Sequence, residues 1–90
     1  MARVIYEVTA KVIDANGNFS TLSGYPKVFD SRSYQNDTDK TYRRAEGEFY
    51  DVWADMCKRD DRMMQTVMMT TADGFMVMNR SEGRFPDDDE

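Results

Sequence analysis

From Arg3 to Ile13 the chain alternates. Val4, Tyr6, Val8, Ala10 and Val12 fall on one side, and Ile5, Glu7, Thr9, Lys11 and Ile13 on the other. A period of two predicts a half-buried strand with one clearly apolar face. Asp14-Ala15-Asn16-Gly17-Asn18 comes next, and Asn-Gly after an alternating run predicts a hairpin turn. The return strand is expected from Phe19 to about Ser23. Gly24-Tyr25-Pro26 ends it, because proline has no N–H to give to a ladder. Lys27–Tyr34 reads either as a third strand or as an extended connection, with Val28 and Phe29 as its anchors.

The pattern then changes to a helical one. Asn36, Asp37, Thr38 and Asp39 offer N-caps, and Asp39 suits the positive end of a helix dipole. From there to about Asp60, steps of roughly 100° per residue gather Tyr42, Ala45, Phe49, Val52, Trp53 and Met56 on one stripe. Lys40, Arg44, Asp51, Asp55 and Lys58 fall opposite, the split of an amphipathic helix. Two further strand-like runs, Met63–Thr71 and Phe75–Arg80, flank Ala72-Asp73-Gly74, a second hairpin signal. The expected fold is therefore α+β: hairpin, extra strand, helix, hairpin. An antiparallel sheet of four to five strands would carry one long helix on one face. Residues 1–86 are expected to form one domain, and 87–90 an acidic, solvated tail.

One helix covers one side of a sheet, so the other side is expected to be polar. The C-terminal hairpin departs from this. Met63, Gln65, Val67 and Met69 point one way and Met64, Thr66, Met68 and Thr70 the other, while Phe75 and Val77 oppose Met76 and Met78. Both sides are apolar, and six of the eight methionines lie here. Flexible thioethers suit adaptable contact surfaces, and an exposed apolar patch marks an interaction site. Met63, Met64, Met68, Met69, Met76 and Met78 are thus the candidate protein interface, the alternative being that Lys27–Tyr34 and the Phe85 tail fold over this face. A weaker candidate surface lies on the outer helix stripe, where Gly47 and Ala54 leave room beside Tyr50, Asp51 and Asp55.

Composition adjusts this picture in three ways. Aliphatic residues are scarce, with Leu22 the sole leucine and Ile5 and Ile13 the sole isoleucines. Valine, methionine and aromatic side chains must pack the core, which predicts modest stability or stability borrowed from a partner. The net charge of −5 is concentrated at the end of the chain: Asp87, Asp88, Asp89 and Glu90 supply four of its 17 acidic residues. Residues 1–86 then hold 12 basic and 13 acidic side chains, close to neutral. Cys57 is the single cysteine, so no internal disulfide forms, and its place beside the apolar stripe predicts a small packed side chain. No apolar run approaches a membrane span or follows a basic start, so a cytoplasmic protein without membrane contact is expected.

The chemistry is read mostly by exclusion. There is no histidine, the commonest general base and zinc ligand. Asp60-Asp61, Asp37 with Asp39, or Asp30 with Glu48 would be the carboxylate pairs for acid–base or cation work, yet each sits where charge is expected anyway. Asp14-Ala15-Asn16-Gly17 has its glycine too early for a calcium loop. No phosphate loop, dinucleotide fingerprint or nucleophile elbow occurs. No enzyme, cofactor or metal is expected. Tyr6, Phe29, Tyr34 and Phe75 are of the type that stacks bases, but Arg43, Arg44, Lys58, Arg59 and Arg62 are interleaved with acids. A sequence pI near 4.6 also opposes a phosphate-led binder.

These readings converge on a small non-enzymatic protein–protein interaction module. Its occupant is a protein of unstated identity or a second copy in a homodimer. In overall profile the chain resembles the small acidic proteins with which bacteriophages and mobile elements block host defence, anti-CRISPR proteins among them. That resemblance rests on size and charge, attaches to no residue, and implies an inhibitor without a catalytic site. A self-associating structural protein and an acidic nucleic-acid mimic are the alternatives. The mimic would use Glu48, Asp51 and Asp55, with Asp60-Asp61 and the tail.

Overall fold

A computed structural model describes residues 3–14, 16–58 and 62–83, with backbone alone at 62 and 63. The expected helix end at Asp60, the Asp60-Asp61 pair, Arg59, the Phe85 segment and the acidic tail lie outside those residues.

The chain runs β1 (Ile5–Asp14), β2 (Phe19–Thr21), β3 (Lys27–Asp30), a 3-10 turn (Ser31–Tyr34), α1 (Thr38–Cys57), β4 (Arg62–Thr71) and β5 (Met76–Gly83). All strand pairs are antiparallel. The fold is a five-stranded antiparallel sheet with one long helix against it, an α+β architecture. β1 and β4 form the centre and β5 lies outside β4, while β2 and β3 share the outer edge of β1 in succession. Of the two readings of Lys27–Tyr34 the strand holds as far as Asp30, and Ser31–Tyr34 is a 3-10 turn and not an extended connection.

The first hairpin turns as its sequence demands. Gly17 takes φ 84°, a left-handed conformation open to glycine without a Cβ penalty. Asp14 Oδ1 accepts from the backbone N–H of Asn16 and of Asn18, each at 2.9 Å. The carboxylate that hinted at a calcium loop is therefore the organiser of the turn. At the second hairpin Gly74 (φ 92°) closes a short loop whose N–H donates to the Thr71 carbonyl at 2.9 Å.

Asp37, one of the expected N-cap residues, caps α1, its Oδ1 accepting from Lys40 N at 3.0 Å, and Asp39 lies in the first turn, where the dipole favours it. The 20 residues of α1 span about 30 Å, enough to cross the sheet. Ala45, Phe49, Val52, Trp53 and Met56 are buried as the stripe predicts. Thr41 replaces Tyr42 as the first buried contact, and its Oγ1 donates to the Asp37 carbonyl at 2.7 Å. Tyr42 sits half-buried at the edge of Tyr6, ring centroids 5.8 Å apart. Beneath the helix lie Val8, Ala10 and Val12 of β1, then Gln65, Val67 and Met69 of β4 in direct register with them. Small Ala10 faces Val67 across the central pair. Met78 on β5 packs against the same core.

Two expectations need correction. Cys57 is exposed, at the last turn of α1, and its Sγ accepts a 3.3 Å hydrogen bond from Gln65 Nε2. The helix ends before the stripe can carry it inward. Met76 and Met78 were expected on one side of β5. The register instead slips, with Met78 opposite Met69 and Met76 opposite Thr70. That bulge at Val77 sends the two methionines to opposite faces.

The 3-10 turn is fastened to the start of β1. Asp30 accepts from Arg3 Nη2 at 2.7 Å and from the Arg32 N–H at 3.0 Å, while buried Ser31 exchanges hydrogen bonds with the Val4 backbone. Hydrogen bonding from Arg3, then from the Arg32 backbone, lowers the Asp30 carboxyl from 3.8 to about 2. A carboxylate lowered in the folded state adds stability above its unfolded pKa and loses it as pH falls through the folded one. Denaturant midpoints should therefore drop between about pH 4 and 2, and Asp30→Asn should flatten that part of the acid profile.

Candidate interaction surface

The helix shields only one face of the sheet. Opposite it, the strand registers lay out rows that no single strand reveals. Phe19, Ile13 and Met64 are consecutive partners across β2, β1 and β4. Thr21, Lys11, Thr66 and Ser81 form the adjacent row, and Thr9, Met68 and Asn79 the one after. Val28, Glu7, Thr70 and Met76 follow, and Ile5 beside Asp30 ends the face. No described helix or turn lies over it.

The rows differ in how far they are wetted. Ile13, Met64, Met68 and Ile5 are half-buried. Phe19, Val28 and Met76 keep 63%, 59% and 50% of their surface exposed, too much for solitary packing residues of a sheet. Lys11 holds its ammonium 5.5 Å from the Phe19 ring centroid, and Thr66 Oγ1 and Ser81 Oγ lie 2.9 Å apart. The surface is an apolar row, a hydroxyl and lysine row, a central methionine, and a second mixed apolar row. At its Ile5 end a cleft of about 300 Å³ opens between Arg3–Tyr6 and Thr71–Asp73, with Phe75 at its mouth, 72% exposed.

The six candidate methionines are divided by this geometry. Met64, Met68 and Met76 belong to the uncovered face. Met78 is half-buried against the core, and Met63 carries no described side chain. Met69 is fully buried under the helix, so it is a core residue and not part of an exposed surface. Its parity had already placed it with Val67, and the helix claims that side. Phe19, Ile13, Ile5 and Val28 are the members that strand-by-strand reading missed. Their membership depends on which strands lie side by side, and alternation within one strand does not carry that information.

The second candidate surface is a plain solvent-facing stripe. Gly47, Tyr50, Asp51, Ala54 and Asp55 are all exposed. Tyr50 rests edge-on against Phe49, centroids 5.3 Å apart. A Cβ on Gly47 would meet nothing within 4 Å. The neighbouring Glu48 is not a free acid of this stripe: it accepts from the Tyr25 hydroxyl and from Lys27 Nζ, the latter at 3.1 Å. Burial first, and the Glu48 hydrogen bond second, push the Tyr25 hydroxyl upward in pKa, so it stays a donor. Asp37 is committed to the cap and Asp30 to Arg3 and Arg32, so each of the two described carboxylate pairs has a member already engaged. Among the described residues no cluster of three or more acids or cysteines is placed to hold a metal ion, and no helix is long and apolar enough to cross a membrane.

At the far end of α1, Trp53, Cys57, Arg80, Ser81 and Glu82 line a cleft of about 280 Å³. The Arg80 guanidinium carbon lies 4.7 Å from the Trp53 ring centroid, within the range of a cation–π contact. Gln65 is buried next to Cys57, and its Oε1 meets no donor among the described residues.

No protein-family model, curated protein or solved structure matches this chain.

Two substitutions separate packing from function here. Gly47→Ala should raise stability by about 1 kcal/mol, seen as a higher midpoint of thermal unfolding, since alanine fits the helix and its methyl meets open space. Gln65→Met keeps the volume and removes a buried acceptor without a donor, and should gain about 1 kcal/mol in denaturant titration.

Proposed function

We propose that the protein is a non-enzymatic interaction module whose uncovered sheet face docks a protein partner. The observation that supports this reading is the exposure of Phe19, Val28 and Met76 on the same face as half-buried Ile13, Met64 and Met68. Apolar rows with threonines, Glu7 and Lys11 set among them have the mixed make-up of interfaces that form between already folded proteins. Inhibition of a host protein is the biological role that the size and acidity suggest, and blocking requires only such a surface.

Met68 tests the reading because it stands mid-face, opposite Thr9 on β1 and Asn79 on β5. Met68→Lys places a charge on the outer side of the sheet and leaves the helix-covered core untouched. Affinity capture from the source cell should recover a partner with the parent protein and lose it with Met68→Lys, both showing the same far-UV spectrum. Equal capture by the two proteins would move the binding site to the Gly47–Asp55 stripe of the helix.

A further inference from the structure

The sheet has two edges of very different kinds. On one, β1 is covered by three residues of β2 and four of β3. On the other, β5 runs for eight residues and pairs with β4 alone. Its outer N–H and C=O groups have no partner strand among the described residues. Such an edge accepts a further strand unless charge, proline or a bulge blunts it. The bulge at Val77 disturbs the first part of β5, which leaves 79–83 as the regular stretch.

The geometry points to a second copy of this chain as the occupant, β5 pairing with β5 antiparallel about a two-fold axis at Ser81. This surface is separate from the sheet face proposed above and does not depend on it. Arg80 and Glu82 stand opposite the inward-facing Val67 and Gln65, so both lie on the helix side. With Ser81 facing its own copy, Arg80 of each chain falls opposite Glu82 of the other, and Asn79 opposite Gly83. Opposite charges directly across an antiparallel pair attract, and like charges repel. A centre at Arg80 or at Glu82 would set like charges against each other, and one at Asn79 would run into the bulge. Among the registers that the described residues of β5 allow, the one centred on Ser81 is self-complementary.

Three further observations agree. Neither Arg80 nor Glu82 has an ion-pair partner among the described residues. Stacking on Trp53 holds Arg80 in place at 4.7 Å. The cleft of about 280 Å³ beside both residues leaves room on the helix side for an incoming carboxylate. The product is one continuous sheet with both helices on the same side.

Sedimentation velocity across 5–500 µM (roughly the range in which a short strand pairing assembles) reads the self-association. The parent protein should show a concentration-dependent dimer. Arg80→Glu and Glu82→Arg should each weaken it roughly tenfold or more, since each change makes two symmetric contacts repulsive. The double exchange, Arg80→Glu with Glu82→Arg, should restore it, although it lacks the Trp53 stack as fully as the first single change does. Ser81→Cys on a Cys57→Ser background should form an intermolecular disulfide under mild oxidation, because directly opposed residues lie within disulfide reach. A parent that stays monomeric at 500 µM (a concentration of order 10⁻³ M, where even weak pairing shows) overturns the proposal. So does a dimer indifferent to both single changes, or a Ser81→Cys chain that remains uncrosslinked.

Discussion

The register of β1 against β4 is the constraint on which the rest of the structure depends. It places Val8 opposite Met69, Ala10 opposite Val67 and Val12 opposite Gln65, and these six form the floor on which α1 lies. A slip of one residue would turn every one of them to the other side. The pairing therefore selects both the core and, as its complement, the outward rows. Ala10 at the middle of the floor lets the helix approach, while Phe49, Val52 and Met56 supply the bulk that valine-rich strands lack. Burying ten core residues among those described is what the scarce aliphatic content had to achieve. It is achieved on one side only.

Much of this was legible in the chain itself. The alternation in Arg3–Ile13 named Val8, Ala10 and Val12 correctly because one strand face is decided by parity alone. The helical stripe named Ala45, Phe49, Val52, Trp53 and Met56 for the same reason, one residue's contacts being set by a fixed angular step. The two glycine turns, at Gly17 and Gly74, were visible because positive φ narrows the choice of residue. The misreadings have a common cause. Cys57, Met69 and the Met76/Met78 pair were placed by local periodicity, and each depends on something non-local. The helix stops at Cys57, a covering element claims Met69, and a bulge separates Met76 from Met78. The candidate face suffered most: its Phe19–Ile13–Met64 row draws one residue from each of three strands far apart in sequence.

The polar anchors show a division of labour that composition alone hides. Among the described residues, four of the acidic side chains that were candidates for chemistry hold local structure. Asp14 organises a turn, Asp30 joins the 3-10 turn to β1, Asp37 caps the helix, and Glu48 ties Tyr25 and Lys27 to its outer flank. Asp14 stands at the turn between β1 and β2, Asp30 and Asp37 precede the 3-10 turn and α1, and Glu48 joins the middle of α1 to the approach to β3. Charge here compensates for a thin core, through hydrogen bonds that ionised acceptors make stronger than neutral ones.

The outer sheet face bears on how such a domain stands alone. Its rows alternate between apolar and hydroxyl-bearing side chains, and threonine occupies positions 9, 66 and 70 in strands where β-branched residues pack well. Thr66 and Ser81 satisfy each other across the strands, and Lys11 covers part of Phe19. A face built this way tolerates water better than the inner one, whose residues are almost fully enclosed. The expectation of an interaction surface rested on both sides of the C-terminal hairpin being apolar. The inner side has cover, and the outer side is banded with polar groups. A protein seated there would add contacts to a fold already closed by its helix, so binding on this face draws on Phe19, Val28 and Met76 without having to complete a core.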